Sequence, residues 1–455
     1  MLLSKNLFDM SRLPLYLYIL CFVSFFSAAQ AQETLSIEQA ISRGLANSYS
    51  IKVEETDLTI AQNRNDWAIA GKYPSLNVNL SNSNNYSNIN NPVSFLTEIN
   101  SFSTGLVPSA DASLILFDGY RVRMTKKQLE QTEILERGNL AITVENTIQN
   151  VMLAYYQALL QQEQLEVLEE VLALSRDRIR YQEARQEFGQ AGKFDILQTQ
   201  DAYLNDSTSY LLQQTNLGNA LRTLNQAMGE DDLQKRYSLS DQLNLPIEDY
   251  QLGALQEKMN SNNRSIQNAF VGRELANLNT RIVESANYPR ISAAANTSYN
   301  WNLANGSGTQ ANGESRSFDA IISKTLNAGV SITASYQLFD WGVRRRNIET
   351  ARLQEVSTQY SIEDLKRNLN LQMANTFANY QNQRQLIGLT ETLVQNAREN
   401  LEIAAERFRS GQINSFDYRA VQVAFINAEQ SRLTSIFNLK TIETDLIRLT
   451  GGMVR

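Results

Sequence analysis

Leu116-Phe117-Asp118-Gly119-Tyr120-Arg121-Val122-Arg123 joins two different kinds of sequence. Before it, Ala110, Ala112, Leu114 and Leu116 alternate with Asp111, Ser113 and Ile115, the period-two pattern of a strand. After it, from 120 to 188, there is no proline and a single glycine, Gly138. Apolar residues there recur at three- and four-residue steps: Val144, Ile148, Val151 and Tyr155, then Leu165, Leu168 and Leu172. The stretch returns as Leu338-Phe339-Asp340-Trp341-Gly342-Val343-Arg344-Arg345, 340 − 118 = 222 positions on. A strand-to-helix corner used twice points to an internal duplication. Asp118 and Asp340 read as caps, their carboxylates accepting from the first free N–H groups of the helix.

The helical run after each corner is long. At ~1.5 Å per residue, 120–188 would form a rod of ~100 Å. The run 342–408 repeats the pattern, with Leu369, Met373, Phe377 and Tyr380 on one stripe, as in a coiled coil. Each rod ends at a glycine turn followed by Phe-Asp. The first turn is Gly189-Gln190-Ala191-Gly192-Lys193-Phe194-Asp195 and the second Gly411-Gln412-Ile413-Asn414-Ser415-Phe416-Asp417. A returning helix follows each and closes at Gly229 and at Gly451-Gly452, positions of C-terminal glycine caps. The offset of 222 holds from corner through tip to cap.

Ahead of each corner, Tyr73-Pro74 and Tyr288-Pro289 stop a helical stretch and open a first strand. Leu76-Asn77-Val78-Asn79-Leu80-Ser81 alternates cleanly. Residues 82–104 are rich in Asn and Ser and read as a long polar loop. In the second half Val330, Ile332, Ala334, Tyr336 and Leu338 face one way, and the extra length is expected in a loop at Gly306-Ser307-Gly308. Residues 34–47 read as a short helix. The chain thus divides into 1–31, a first half 32–230 (hairpin about 75–117, helical hairpin about 119–229), a polar linker 231–246, and a second half 247–455 (hairpin about 290–339, helical hairpin about 341–450).

The first segment has Lys5 and Arg12 before an apolar core, 13–26, and ends Ala29-Gln30-Ala31, the form of a cleaved secretory signal. The only cysteine, Cys21, lies inside that core, so the exported chain is expected to hold together without disulfides. There is no histidine, which removes Cys-His pairs, Ser-His-Asp triads and the common transition-metal sites; no cofactor or metal and no enzyme activity are expected. The net charge is −7, and an acidic balance argues against nucleic acid. Beyond 31 no apolar run reaches the ~20 residues of a membrane helix, so membrane contact would fall to strands. Strands cross lipid only in a closed barrel. Four per chain cannot close one, two copies would give a tight eight, and three would give twelve.

The Tyr-Pro strand entry, the Leu-Phe-Asp corner, the long heptad helix and the Gly-x-x-x-x-Phe-Asp tip, each present twice, resemble TolC-type outer-membrane efflux proteins, the outer membrane factors. The resemblance implies a mixed α and β homotrimer whose twelve-stranded outer-membrane β-barrel continues into a twelve-helix periplasmic α-barrel. It implies a passive exit duct in a tripartite efflux or type I secretion system, with a periplasmic adaptor and an inner-membrane pump (RND, ABC or MFS type) as partners, and outer-membrane lipid around it. The tips would form the entrance, with Gly189, Gly192, Phe194, Gly411 and Gln412 at the adaptor-docking turns. Asp417, with Asp195 in the matching position, falls where family members place an acidic ring; both also read as caps of the returning helices. The sequence departs from the family at the gate: Ile413 stands where an arginine lock is expected, Phe408 replaces its tyrosine helper, and Ala420 replaces an acid. Packing of Phe408, Ile413 and Phe416 is therefore the expected closure. The competing reading is an adhesin-like surface protein on a helical stalk, which gains nothing from two matched glycine tips.

Overall fold

A computed structural model describes residues 33–243 and 248–453. The segment 1–31 and the end of the 231–246 linker lie outside the described residues. The chain separates into two compact units.

One unit is built from the described residues up to 51, 144–259 and 371 onward. It opens with a strand, β1 (Glu33–Leu35), where a helix is expected from 34; helix α1 (Ile37–Asn47) follows. The helix starts there because Ser36 caps it: its hydroxyl accepts from Gln39 N at 3.3 Å and the Gln39 side chain accepts from Ser36 N at 3.2 Å, a reciprocal capping box. The unit takes the distal part of α3 (Arg121–Glu187), its returning partner α4 (Lys193–Met228), the distal part of α7 (Val343–Arg409), and α8 (Ser415–Leu449). Within 231–243, Tyr237–Leu239 form β4, pairing in parallel with β1. Tyr237 and Leu239 are buried, so this stretch packs into the unit. The Tyr155 hydroxyl sits within hydrogen-bond distance of both the Leu35 carbonyl and the Asp241 carboxylate, at 2.8 and 2.6 Å. Burial, then the Asp241 contact, push its pKa upward.

The other unit comprises 52–143 and 260–370. It holds most of α2 (Tyr49–Arg64), the last residues of α5 (Leu252–Asn262), all of α6 (Arg264–Glu284), and an antiparallel sheet, β2 (Ser75–Asn90), β3 (Leu96–Phe117), β5 (Arg290–Gln310) and β6 (Ser315–Ser335), in the order β2-β3-β5-β6. Residues 82–104 differ from the polar loop expected of them. β2 runs on to Asn90, only 91–95 turn, and β3 starts at Leu96 and pairs with β2 from Glu98. Asn and Ser are weak strand formers, but their side chains bridge the ladder. Asn88 and Tyr86 both donate to the Asn100 amide oxygen, at 2.5 and 3.1 Å. Gly306-Ser307-Gly308 likewise lies within β5, and the turn is 311–314. A Cβ on Gly306 would come 2.1 Å from the Asn100 carbonyl, and one on Gly308 2.9 Å from Leu96. Those glycines admit a neighbouring strand; they do not mark a loop. The longer second hairpin owes its length to β5, 21 residues against 16 in β2.

The long helices α3 and α7 contain 67 residues each, both starting and ending 222 positions apart. Gly138, the one glycine inside α3, faces α6: a Cβ there would fall 2.2 Å from Asn268, whose amide donates to Asn139 at 2.6 Å.

Candidate functional site: the two-faced sheet and the helical tips

Alternation along the four strands gives the sheet two chemically different faces. On one, Leu76, Ala112, Ala295 and Val330 share a row, as do Val78, Ala110, Thr297 and Ala328. Further along come Leu80 opposite Pro108, Tyr299 opposite Leu326, and Leu303 opposite Ile322. Val78 and Val330, on the two edge strands, are 78% and 82% exposed in the single chain. Three rows, from Leu76 to Leu80, carry no charged or amide side chain. Beyond them Asn82 opposite Leu106 and Lys324 opposite Trp301 join the same face before Leu303 and Ile322. The whole face thus spans close to the ~9–11 residues a tilted membrane strand needs, with one charge on it. The opposite face carries Ser75, Ser113 and Ser331, then Asn77, Asp111 and Asn296, then Asn79, Ser109, Ser298 and Asn327. In the rows from Ser75 to Ser83 its one charge is Asp111, whose oxygens accept from Asn77 and Asn79 at 2.9 and 3.1 Å. β2 and β6 are edges with unpaired backbone groups, and edges this long and apolar demand a partner strand.

Both corners turn on two consecutive left-handed residues, Gly119 (φ 69) and Tyr120 (φ 68), and Trp341 (φ 55) and Gly342 (φ 79). The order of glycine and aromatic is reversed. A Cβ on Gly119 would lie 2.4 Å from the Ser285 carbonyl, whereas Trp341, at the matching position, is 81% exposed. Asp340 accepts from Gly342 N and Arg344 N at 3.0 and 2.9 Å, and Asp118 from Val122 N at 3.4 Å. The Arg344 N–H leads the interactions that hold the Asp340 carboxyl below its usual range. Stability from this cap is therefore intact at neutral pH and is lost as pH falls through that lowered value. Phe117, Tyr120 and Tyr288 meet edge to face at the first corner, and Phe339 meets Trp341 at the second.

At the tips, Gly189 and Gly411 adopt φ 72 and 75 in open space. Gln190 N bonds the Arg185 carbonyl and Gln412 N the Arg407 carbonyl, each at 2.8 Å, while Gly189 N and Gly411 N reach Gln186 and Phe408 at 2.8 and 3.1 Å. These are Schellman closures. The two returning helices start differently. Asp195 accepts from Gly192 N at 3.0 Å, but in the second tip Asn414 accepts from Asp417 N at 2.8 Å. The Asp417 carboxylate is exposed, with no partner among the described residues. Phe194 and Phe416 are 76% and 67% exposed.

Phe408 and Ile413 belong to one apolar cluster with Tyr181, Tyr418, Val421 and Leu174; Phe416 does not. The Phe408 ring stacks on Tyr418 at 5.2 Å and tilts against Tyr181 at 5.4 Å. Beside the cluster lies a polar knot that sequence reasoning missed. Arg419 on α8 donates twice to Asp206 on α4, at 2.8 and 2.6 Å. Ser175 on α3 donates to the same carboxylate at 2.5 Å, and Gln422 donates to Ser175 at 3.2 Å. Asp206, Gln422 and Ser175 are buried. Leu197 and Ala428 stand at the positions matching Arg419 and Asp206, so no repeat signals the pair. The bidentate ion pair ties α4 to α8, and the Ser175 hydrogen bonds add α3.

The outer membrane efflux protein profile matches residues 40–230 and 255–452, and the chain belongs to that family, one of transport channels rather than enzymes. Among solved structures it is similar to the CmeC outer membrane channel of Campylobacter jejuni (TM-score 0.71, 18% identity, covering 92% of this chain and 86% of that one). It is also similar to the outer membrane protein VceC of Vibrio cholerae (0.71, 15%, 91% and 96%) and to the open state of the Neisseria gonorrhoeae MtrE outer membrane channel (0.66, 17%, 92% and 90%). At these identities the likeness is one of fold. No individually curated protein sequence matches the chain.

Proposed function

We propose that three copies of this chain close a twelve-stranded barrel in the outer membrane and a helical tunnel beneath it, forming the exit duct for an inner-membrane pump joined through a periplasmic adaptor. The observation that carries this reading is the open sheet with one mainly apolar face, one hydroxyl- and amide-rich face, and two long free edges. Pairing β2 of one copy with β6 of the next satisfies the edges, turns the apolar face to lipid and leaves the polar face around a lumen. In this reading the Schellman tips are the entrance and adaptor-docking turns, and Asp417 supplies a ring of three carboxylates there. The Arg419–Asp206 knot and the Phe408 cluster hold α7 with α8 against α3 and α4, and Phe416 is left to meet a neighbouring copy. The chain supplies a path and no chemistry. The test is native mass spectrometry of the detergent-solubilised protein together with planar-bilayer recording. A mass three times that of the protomer and discrete conductance steps are expected; a monomer or dimer without conductance overturns the proposal.

A further inference from the structure

Arg178 on α3 is only 4% exposed, yet its Nε and Nη1 meet no hydrogen-bond partner. The neighbouring carboxylate, Asp206, is committed to Arg419 and Ser175. The Tyr418 ring lies 5.9 Å from the guanidinium carbon and supplies only a weak attraction to the cation. Burial, and then the like charge of Arg419, push the Arg178 pKa down. A buried guanidinium with idle donors is costly to keep, so its surroundings call for an anion.

Beside it opens a cavity of about 280 Å³, walled by the rings of Tyr181, Phe408 and Tyr418 and by Leu174 and Ala405, with Arg409 at its margin. Asp177, the one acid on the wall, is paired with Arg180. We propose that this cavity binds a small amphipathic organic anion, its carboxylate or sulfonate on Arg178 and its flat apolar body against Tyr181, Phe408 and Tyr418. Such a ligand touches α3, α7 and α8 at once and strengthens their packing just behind the tips. The site is complete within one chain and goes beyond the exit-duct reading, so it stands or falls separately from it.

Calorimetry on the full-length, detergent-solubilised protein tests it, with naphthalene-2-carboxylate as probe and naphthalene-2-methanol as its neutral match. The acid should bind saturably and the alcohol roughly tenfold or more weakly, the scale of a charge-assisted hydrogen bond. Arg178→Met should bring the acid down to the level of the alcohol. Ala405→Phe, which fills the cavity and leaves Arg178 in place, should abolish binding of both and keeps the test decisive should Arg178→Met misfold. Equal binding of acid and alcohol, acid binding that survives either variant, or no saturable binding to the unaltered protein (as when a neighbouring copy's carboxylate already sits on Arg178) overturns the proposal.

Discussion

Arg419 and Asp206 show how much a single contact can hold. The carboxylate is buried while a quarter of the arginine side chain is exposed, so the two partners are not equivalent. Arg419→Met leaves the buried Asp206 carboxylate with Ser175 and should cost about 3 kcal/mol; Asp206→Asn takes the carboxylate away from both Arg419 and the buried Arg178 and should cost more. Hydrogen exchange over residues 199–213 and 415–425 checks this, and equal loss of protection in the two variants would contradict it. The corner aspartates were legible in the sequence because each stands at a change of period and recurs at a fixed offset. The knot was not: its members come from three helices, have no repeated counterpart, and look like ordinary surface charges until the helices are packed. Phe408 and Ile413 could be picked out as apolar residues at a tip, but their separation from Phe416 depends on side-chain direction, which spacing alone does not reveal.

At the scale of elements, the helices and the strands obey different rules about length. α3 and α7 match residue for residue, because side chains packed along a helix pair must stay in phase. The two β-hairpins differ in length, and the second carries a register shift between Ala304 and Gly306, which a sheet absorbs as a bulge. Inserting two residues after Gly313, a turn glycine on which an added methyl would meet nothing within 4 Å, should leave assembly intact. Inserting one residue after Gly388 in α7 should disrupt it, since everything beyond rotates by ~100°. Heat-resistant oligomer bands on gels distinguish these outcomes, and two similar gels would refute the contrast. The same difference explains what the sequence revealed. Helices declared themselves over tens of residues, while the Asn- and Ser-rich parts of β2 and β3 lacked the apolar alternation that identifies a strand.

At the scale of the whole molecule, the proposed barrel makes the two sheet faces unequal in what they tolerate. Val78→Arg would place a charge toward lipid, at a cost that reaches roughly 2–4 kcal/mol at the midplane and falls toward the interfaces. It should lower the amount of assembled protein recovered from outer membranes. Asn77→Arg, one residue away on the polar face, should assemble normally and alter conductance. If both variants, or neither, fail to assemble, the assignment of the faces is wrong.

The polar face has a further consequence. Between Ser75 and Ser83 it is mainly hydroxyls and amides, with Asp111 held by Asn77 and Asn79. Such a wall wets evenly. Water adheres to it almost everywhere with similar strength, and an oily solute finds little to which it can adsorb. Friction against the wall is then set by the hydration film, and molecules of very different shape slip past on water rather than on protein.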